Sequence, residues 1–405
     1  LTSGASTATT LPRIVFVDDE PRVLEALRRM LRTERELWEM VFVPSGAAAI
    51  TEMTERPAQV VVTDMRMPEM DGAELLRLVR DRWPETARVI LSGDTDRVQS
   101  LRAVESAHQF LTKPCDTLTL RSVLARAASL STALGDRELH SLLGGVRALP
   151  ALPATYLELE RVAADPAAGT ADIARVVEGE PAATAKLLQV VNSSFFGLAQ
   201  PVRTVDRAAA VLGMQVVRAL VLASGIAERF EASGSAPSFS MTAYHAHGLN
   251  VARLAAMIPS DRAARDGAFL GGVLHDVGKL VMATRRPEIF ERVAGCARDQ
   301  GLADHAAERS LGEPTHAAVG AYLLALWGLP AEVVDAVATH HTPARYAASA
   351  SSEIVLAVHV ADALVHEVAG APSGASRLDL DFLAAHGATA RLSEWRARAR
   401  DLLAP

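Results

Sequence analysis

Five short β-branched runs, Ile14–Val17, Val41–Val43, Val60–Thr63, Val89–Leu91 and Phe110–Leu111, recur between amphipathic segments and then stop. Strands this short, spaced by helix-length segments, suit a parallel sheet, because parallel neighbours need a crossover of a dozen residues or more. The spacing therefore predicts a five-unit parallel α/β domain that closes near Leu130. From Gly135 onward strand signals disappear. Ala, Leu, Val and Arg recur at helical spacing, broken at Pro150, Pro153, Pro181, Gly197, Pro201, Gly213, Pro237, Pro259, Pro287, Pro330 and Pro343. The second part is expected to be all-α, and no fixed-period repeat runs through it.

A chain of 405 residues that is 49% hydrophobic can bury more than one core. Net charge is -7 and basic residues form no stripe, which argues against direct nucleic-acid binding. The longest apolar stretch, Ala219 to Ala227, follows Arg218 and is far shorter than the ~20 residues of a membrane span. No basic segment followed by an apolar one opens the sequence, and Cys115 and Cys296 form no disulfide framework. The expected location is cytoplasmic, with no membrane partner.

Residues 1–11, rich in Thr, Ser and Ala, read as a flexible tail. In an open α/β sheet the ligand crevice lies beyond the carboxyl ends of the strands, and the polar residues with chemical reach gather there. Asp18 and Asp19 follow the first run, Asp64 the third, Ser92 the fourth and Lys113 the fifth. Taken singly, Asp18 and Asp19 would cap a helix starting near Pro21 and Lys113 would be a surface charge. As a set, three carboxylates in one crevice call for a hard cation such as Mg²⁺, held by Asp18, Asp19 and Asp64. Asp64 then serves as nucleophile toward phosphorus, with Ser92 and Lys113 stabilising the phosphoryl oxygens. Lysine is rare here, three residues (Lys113, Lys186, Lys279) of a Lys+Arg total of 41. A compact ammonium fits a crowded anionic pocket where a planar guanidinium needs a wider fork.

The strings VDDE, VVTDMRMPEMDG, LSGD and FLTKP resemble the receiver domain of two-component response regulators over residues 12–131. The resemblance implies a doubly wound, flavodoxin-like fold, phosphorylation of Asp64 by a sensor histidine kinase, and Phe110 as an aromatic switch residue. It also implies a homodimer or a protein partner on the receiver face. A linker would span 132–149 and an output domain 150–405.

The output region, with LPALPATYLEL, EGEPAATAKLLQVVNSSFFG and VRTVDRAAAVLGMQVVRALVL, resembles the HDOD domain, a helical module related to HD-type phosphohydrolases. Glu180 stands where that family commonly has Asp, which keeps the charge. Asn192, Ser193, Phe195 and Phe196 read as helix termination and packing. Within an HD-like lobe over about 240–370, LHDVGK carries the HD signature. His247, His275, Asp276, His316, His340, His341 and Asp362 follow the order of metal ligands in HD-type phosphodiesterases of the HD-GYP kind. The resemblance implies Fe, Mn or Zn there and a phosphate contact from Lys279. Two departures matter: Thr342 replaces the Glu expected after the paired histidines, and the Gly-Tyr-Pro motif is absent. Two outputs follow, a regulatory binding module or a metal-dependent phosphohydrolase acting on a nucleotide or cyclic dinucleotide. His245, two residues from His247, is expected to point off that helical face, and His305, His359, His366 and His386 are expected at the surface or in caps, with His359 in reserve as a ligand because it precedes Asp362 by three residues.

Overall fold

The computed structural model describes residues 11–83, 86–92, 107–113, 115–118, 120–121, 123–125, 152–163, 165, 167–192, 202–231, 235–346, 352–370 and 377–404. The expected tail over 1–10 and linker over 132–149 lie outside these residues, as do Ser193, Phe195 and Phe196 and the side chains of Ser92, Phe110 and Lys186. The chain divides into an α/β unit and, from Leu152, a helical unit.

The α/β unit is built on strands β1 (Arg13–Val17), β2 (Glu39–Val43), β3 (Val60–Asp64), β4 (Ala87–Ser92) and β5 (Gln109–Thr112). They pair in parallel in the order β2-β1-β3-β4-β5. All five fall on the expected runs, each lengthened by one to three residues. Alternation sorts the two faces. Val15, Val17, Val61 and Ile90 pack with Ala49 and Met53 of α2 (Gly46–Glu55) and Leu75, Leu76 and Val79 of α3 (Gly72–Arg82). On the other face Phe16 stacks on its register partner Phe42, ring centroids 4.8 Å apart, and Arg28 of α1 (Pro21–Met30) covers the Phe42 ring. Helices on both faces make the sheet doubly wound.

Arg13, buried at the start of β1, was not singled out by pattern. It pairs with Glu39 and Glu52 and donates to the Glu52 carbonyl, so the charge it takes into the fold is matched at once. Helix α1 starts at Pro21 with Glu20 as its N-cap residue and no side-chain cap, so neither Asp18 nor Asp19 is used as a cap.

The helical unit opens with α4 (Ala154–Ala163), α5 (Thr170–Glu178), α6 (Pro181–Val191), α7 (Val205–Leu212) and α8 (Met214–Glu231). Asn192, just past α6, donates from Nδ2 to the Val202 carbonyl and accepts from the Val202 amide, which ties off the helix end as expected. The chain continues through α9 (Met241–Ala256), α10 (Arg262–Leu274), α11 (Val277–Arg285), α12 (Pro287–Gln300), α13 (Asp304–Ser310), α14 (His316–Leu326), α15 (Ala331–Thr339) and α16 (Ser352–Val368). It closes with α17 (Leu380–Ala385) and α18 (Leu392–Leu403). Helices α9, α10, α15 and α16 share one core, which Phe382, Leu383, Leu392 and Trp395 complete from beyond residue 370. Among the described residues no helix is long and apolar enough to cross a membrane.

Candidate functional sites

At the carboxyl edge of the sheet, where the chain order reverses between β1 and β3, Asp18 follows β1 and Asp64 ends β3. Lys113, just past β5, reaches back between them: its Nζ lies 2.8 Å from Asp18 Oδ2 and also donates to Asp64 Oδ1. The remaining carboxylate oxygens are held by backbone, Asp18 Oδ1 by the Glu20 amide at 3.0 Å and Asp64 Oδ2 by the Arg66 amide at 2.7 Å. Burial pushes the Asp18 carboxyl up despite Lys113. Burial also works to lower the Lys113 ammonium, but its hydrogen bonds to Asp18 and Asp64 hold it above its ordinary value.

Asp19 is exposed at the rim, and Ser92 closes β4 opposite Thr112. Two buried carboxylates that already share one cation, with a third at the mouth, suit a hard divalent ion. Gly72 fixes the far wall, since a Cβ there would sit 2.2 Å from the Asp64 carbonyl oxygen. The turn that brings it so close passes through Glu69 at φ +66°.

In the helical unit the predicted ligands converge from three helix ends and the middles of two further helices. His247 comes from α9, His275 and Asp276 from the α10–α11 corner, His316 from the first residue of α14, His340 and His341 from the end of α15, and Asp362 from α16. Helices α10 and α15 end on the same device. His275 Nδ1 donates to the Gly272 carbonyl at 2.8 Å and His340 Nδ1 to the Val337 carbonyl at 2.7 Å. Each bond satisfies a carbonyl left over at the helix end and commits the Nδ1 proton, so the Nε2 lone pair turns inward. Burial holds both imidazoles below their ordinary range.

Those lone pairs face carboxylates. Asp276 Oδ1 lies 3.3 Å from His316 Nε2 and 3.9 Å from His340 Nε2. Asp362 Oδ1 lies 3.1 Å from His247 Nε2 and 3.6 Å from His275 Nε2. Asp276 Oδ1, Asp362 Oδ2 and His340 Nε2 are buried and carry no hydrogen bond. Three unpaired acceptors buried together are costly unless a cation lies among them, and imidazole with carboxylate is the donor set of first-row transition ions. His/Asp groups here can hold such a metal.

Burial works to raise Asp276 and Asp362. Lys279 and the surrounding histidines, for Asp276, and His247 and His366, for Asp362, more than reverse it and leave both well below the usual carboxylate range.

Several partners were not in the sequence reading. Lys279 Nζ is shared by Asp276 Oδ2 at 3.0 Å and Asp304 at 3.1 Å, so the ammonium is occupied within the protein. Glu308 receives His316 Nδ1 at 2.8 Å and lifts that imidazole against burial. His366, expected at the surface, lies 3.3 Å from Asp362 Oδ1, a contact its four-residue spacing from Asp362 could have signalled. His305 stacks on His341 at 4.1 Å, and burial lowers its pKa to about 4.

His359 is corrected in the other direction. It is fully buried, its Nδ1 donates to the His340 carbonyl, and its Nε2 accepts from the Asp379 amide. With both nitrogens used it is a structural tie, neither surface residue nor ligand. His386 does cap, at the end of α17.

Gly278 sets the spacing of the cluster. A Cβ there would stand 1.9 Å from the His316 carbonyl oxygen, so α11 reaches α14 at backbone distance.

Residues 14–125 match the response regulator receiver domain, and residues 149–343 match the HDOD domain. Asp362 and His366 lie beyond the second match. The hydrogenase transcriptional regulatory protein HoxA of Cupriavidus necator is 38% identical over 125 residues, 30% of this chain and 25% of HoxA. The chain spans roughly a quarter to two-fifths of the length of the curated relatives it first matches. An HDOD domain protein from Geobacter sulfurreducens aligns with TM-score 0.52 at 22% identity, covering 67% of this chain and 99% of its own. A signal transduction protein from Marinobacter aquaeolei VT8 aligns with TM-score 0.54 at 21% identity, covering 93% and 83% respectively. At these identities the two structures speak to fold.

Proposed function

The chain carries a response regulator receiver domain and an HDOD domain, and from that premise we propose that it is a two-component response regulator with Asp64 as phosphoacceptor. The observation that carries the reading is Lys113 Nζ shared between Asp18 and Asp64 at the strand ends. The Asp64 carboxylate attacks the phosphorus of a phosphohistidine on a sensor histidine kinase. An O–P bond forms, the P–N bond breaks, and the electron pair returns to the imidazole. The Arg66 amide keeps Oδ2 engaged and so aims Oδ1 at the crevice. Lys113 stands where the incoming phosphoryl oxygens collect charge. Asp18, Asp19 and Asp64 would hold Mg²⁺, which supplies further neutralisation when bound.

Ser92 as a phosphate contact, Phe110 as a switch and a homodimer through the receiver face belong to the same reading. So do a cytoplasmic location and domain limits of 12–131, 132–149 and 150–405. The HDOD module answers as a regulatory binding unit, and the new charge must favour one of two arrangements for that to work. Acetyl phosphate should label the wild-type protein and leave Asp64→Asn unlabelled. Labelling retained in the variant refutes the assignment.

A second reading of the output, a receiver-gated phosphohydrolase acting on a nucleotide or cyclic dinucleotide, is favoured by the unpaired Asp276 Oδ1, Asp362 Oδ2 and His340 Nε2. His247, His275, Asp276, His316, His340, His341 and Asp362 would hold Fe, Mn or Zn, which supplies Lewis-acid chemistry when bound. Against turnover stand Thr342 and the engagement of Lys279 by Asp304. Nucleotide hydrolysis that disappears in Asp276→Ala selects this reading. A metal-free, inert protein that still responds to a phosphate mimic selects the binding module.

A further inference from the structure

Lys279 is gripped by two carboxylates of unequal standing. Asp276 Oδ2, 3.0 Å from Nζ, is buried and lies three residues earlier at the same helix corner. Asp304 Oδ2, 3.1 Å from Nζ, belongs to the first residue of α13, a helix of seven residues, and its side chain is 50% exposed. The first carboxylate is fixed in the core and the second rides at the surface. An ammonium already shared by two carboxylates repels a third anion, so another anion reaches Lys279 only if one of them leaves. We propose that Asp304 is a built-in blocking anion: it holds the place on Lys279 that a phosphate group would take, and the first turn of α13 lifts to release it. The inference rests on the phosphohydrolase reading for the assignment of Lys279 to phosphate.

Helix α13 is anchored one turn further on and loose where it begins. Glu308, four residues after Asp304, is buried and accepts both from His316 Nδ1 at 2.8 Å and from the His316 amide at 3.0 Å. At the other end the N-cap residue is Ala303, which has no side chain to hold the first-turn amides. The chain enters from α12 through Gly301 at φ +62°, and a Cβ there would meet nothing within 4 Å. A glycine in open space turns without displacing a neighbour. His305, beside Asp304, stacks on His341 at 4.1 Å and keeps Nδ1 buried without a hydrogen bond. The closed position therefore leaves a polar atom unsatisfied, and lifting the turn returns it to water. The ion pair to Lys279 holds the turn down, His305 opposes it, and the pivot is Glu308. A phosphate monoester, with about -1.5 to -2 charge at pH 7, outcompetes a single carboxylate for the ammonium.

Two measurements on the full-length protein test this, each made after chelation and again with Zn²⁺ supplied and bound metal counted. Inorganic phosphate is titrated by ³¹P NMR. Opening is read by hydrogen–deuterium exchange at the Ala306 and Ala307 amides, which donate to the Ala303 carbonyl in the closed turn. Asp304→Asn, which keeps the shape and removes the charge, should bind phosphate at least ten-fold more tightly than wild type, and adding Lys279→Met should abolish the gain. Saturating phosphate should speed exchange of the two amides in wild type at least five-fold and leave α12 unchanged, while Asp304→Asn should exchange faster with no phosphate present. Circular dichroism confirms folding, and Asp304→Ala replaces the asparagine variant should that one misfold. Phosphate bound equally by wild type and Asp304→Asn, or by neither, overturns the proposal. So does a gain that survives Lys279→Met, which reports only the loss of a surface charge, and so does phosphate binding that leaves α13 exchange unchanged. Absence of bound Zn²⁺ overturns the metal-dependent reading alone, since the chelated samples still decide whether Asp304 blocks Lys279.

Discussion

The two sites solve the same electrostatic problem in opposite ways. In the α/β unit the clustered carboxylates bring their own counter-charge, because Lys113 bridges Asp18 and Asp64 and backbone amides hold the remaining oxygens. In the helical unit the two central carboxylates are ringed by imidazoles, several held neutral by burial, and three acceptors are left without a donor. The first site is complete in hydrogen bonds before any ligand arrives. The second leaves buried acceptors that a bound cation would satisfy.

Removing divalent metal should expose that difference most strongly. A chelator should leave thermal unfolding of the α/β unit nearly unchanged, and lower the helical transition by roughly 3 kcal/mol if the ion had been present at about 100 times its dissociation constant. Equal shifts in both transitions would break the contrast. The next largest effect concerns the glycines that abut each site. Gly278→Ala and Gly72→Ala each drive a Cβ into a backbone carbonyl, and each should cost about 1–3 kcal/mol in its own unit, read by denaturant unfolding. Gly278→Ala should also loosen metal binding, whereas Gly72→Ala should slow acetyl-phosphate labelling.

The smallest expected effect is on acid stability. His108 is the one described histidine of the α/β unit, and burial beside Arg88 depresses it. In the helical unit His275, His305, His340, His341 and His359 are depressed, against His316 and His366 raised. A depressed histidine binds fewer protons folded than unfolded below about pH 6.5, so its contribution is present above that pH and lost on acidification. The two raised histidines act in the opposite sense and offset part of the loss. Metal-free protein taken from pH 7 to pH 5 should lose more melting temperature in the helical transition than in the α/β one. The reverse order would count against the neutral imidazoles.

The strands were legible because a two-residue alternation and β-branched content are local, and the carboxyl-edge rule then brought Asp18, Asp64 and Lys113 together without further information. The seven candidate ligands of the helical cluster were named from family order, and the structure brings them together. What escaped was whatever depends on what a helix meets along its length or where a short one lands. His359 and His366 flank Asp362 at three and four residues on nearly the same face of α16, about 20° apart around the axis but about 10 Å apart along it, and which of them meets the cluster is decided by what packs at each level. The ring that misses it, His359, meets Phe382 from α17, far along the chain. Glu308 and Asp304 sit on α13, separated from His316 by a non-helical stretch that no periodicity crosses. Arg13 shows the same limit in the α/β unit, its two acidic partners lying 26 and 39 residues away.

The contact between Gly278 and the His316 carbonyl bears on how this centre could be altered. Because main chain meets main chain there, the distance between the α11 and α14 contributions is fixed by backbone, independent of the side chains that project from it. The imidazoles and carboxylates could be exchanged, toward sulfur donors for a softer ion or amides to empty a position, and the frame would keep its dimensions. It is a mount whose fittings are interchangeable, so long as residue 278 stays glycine.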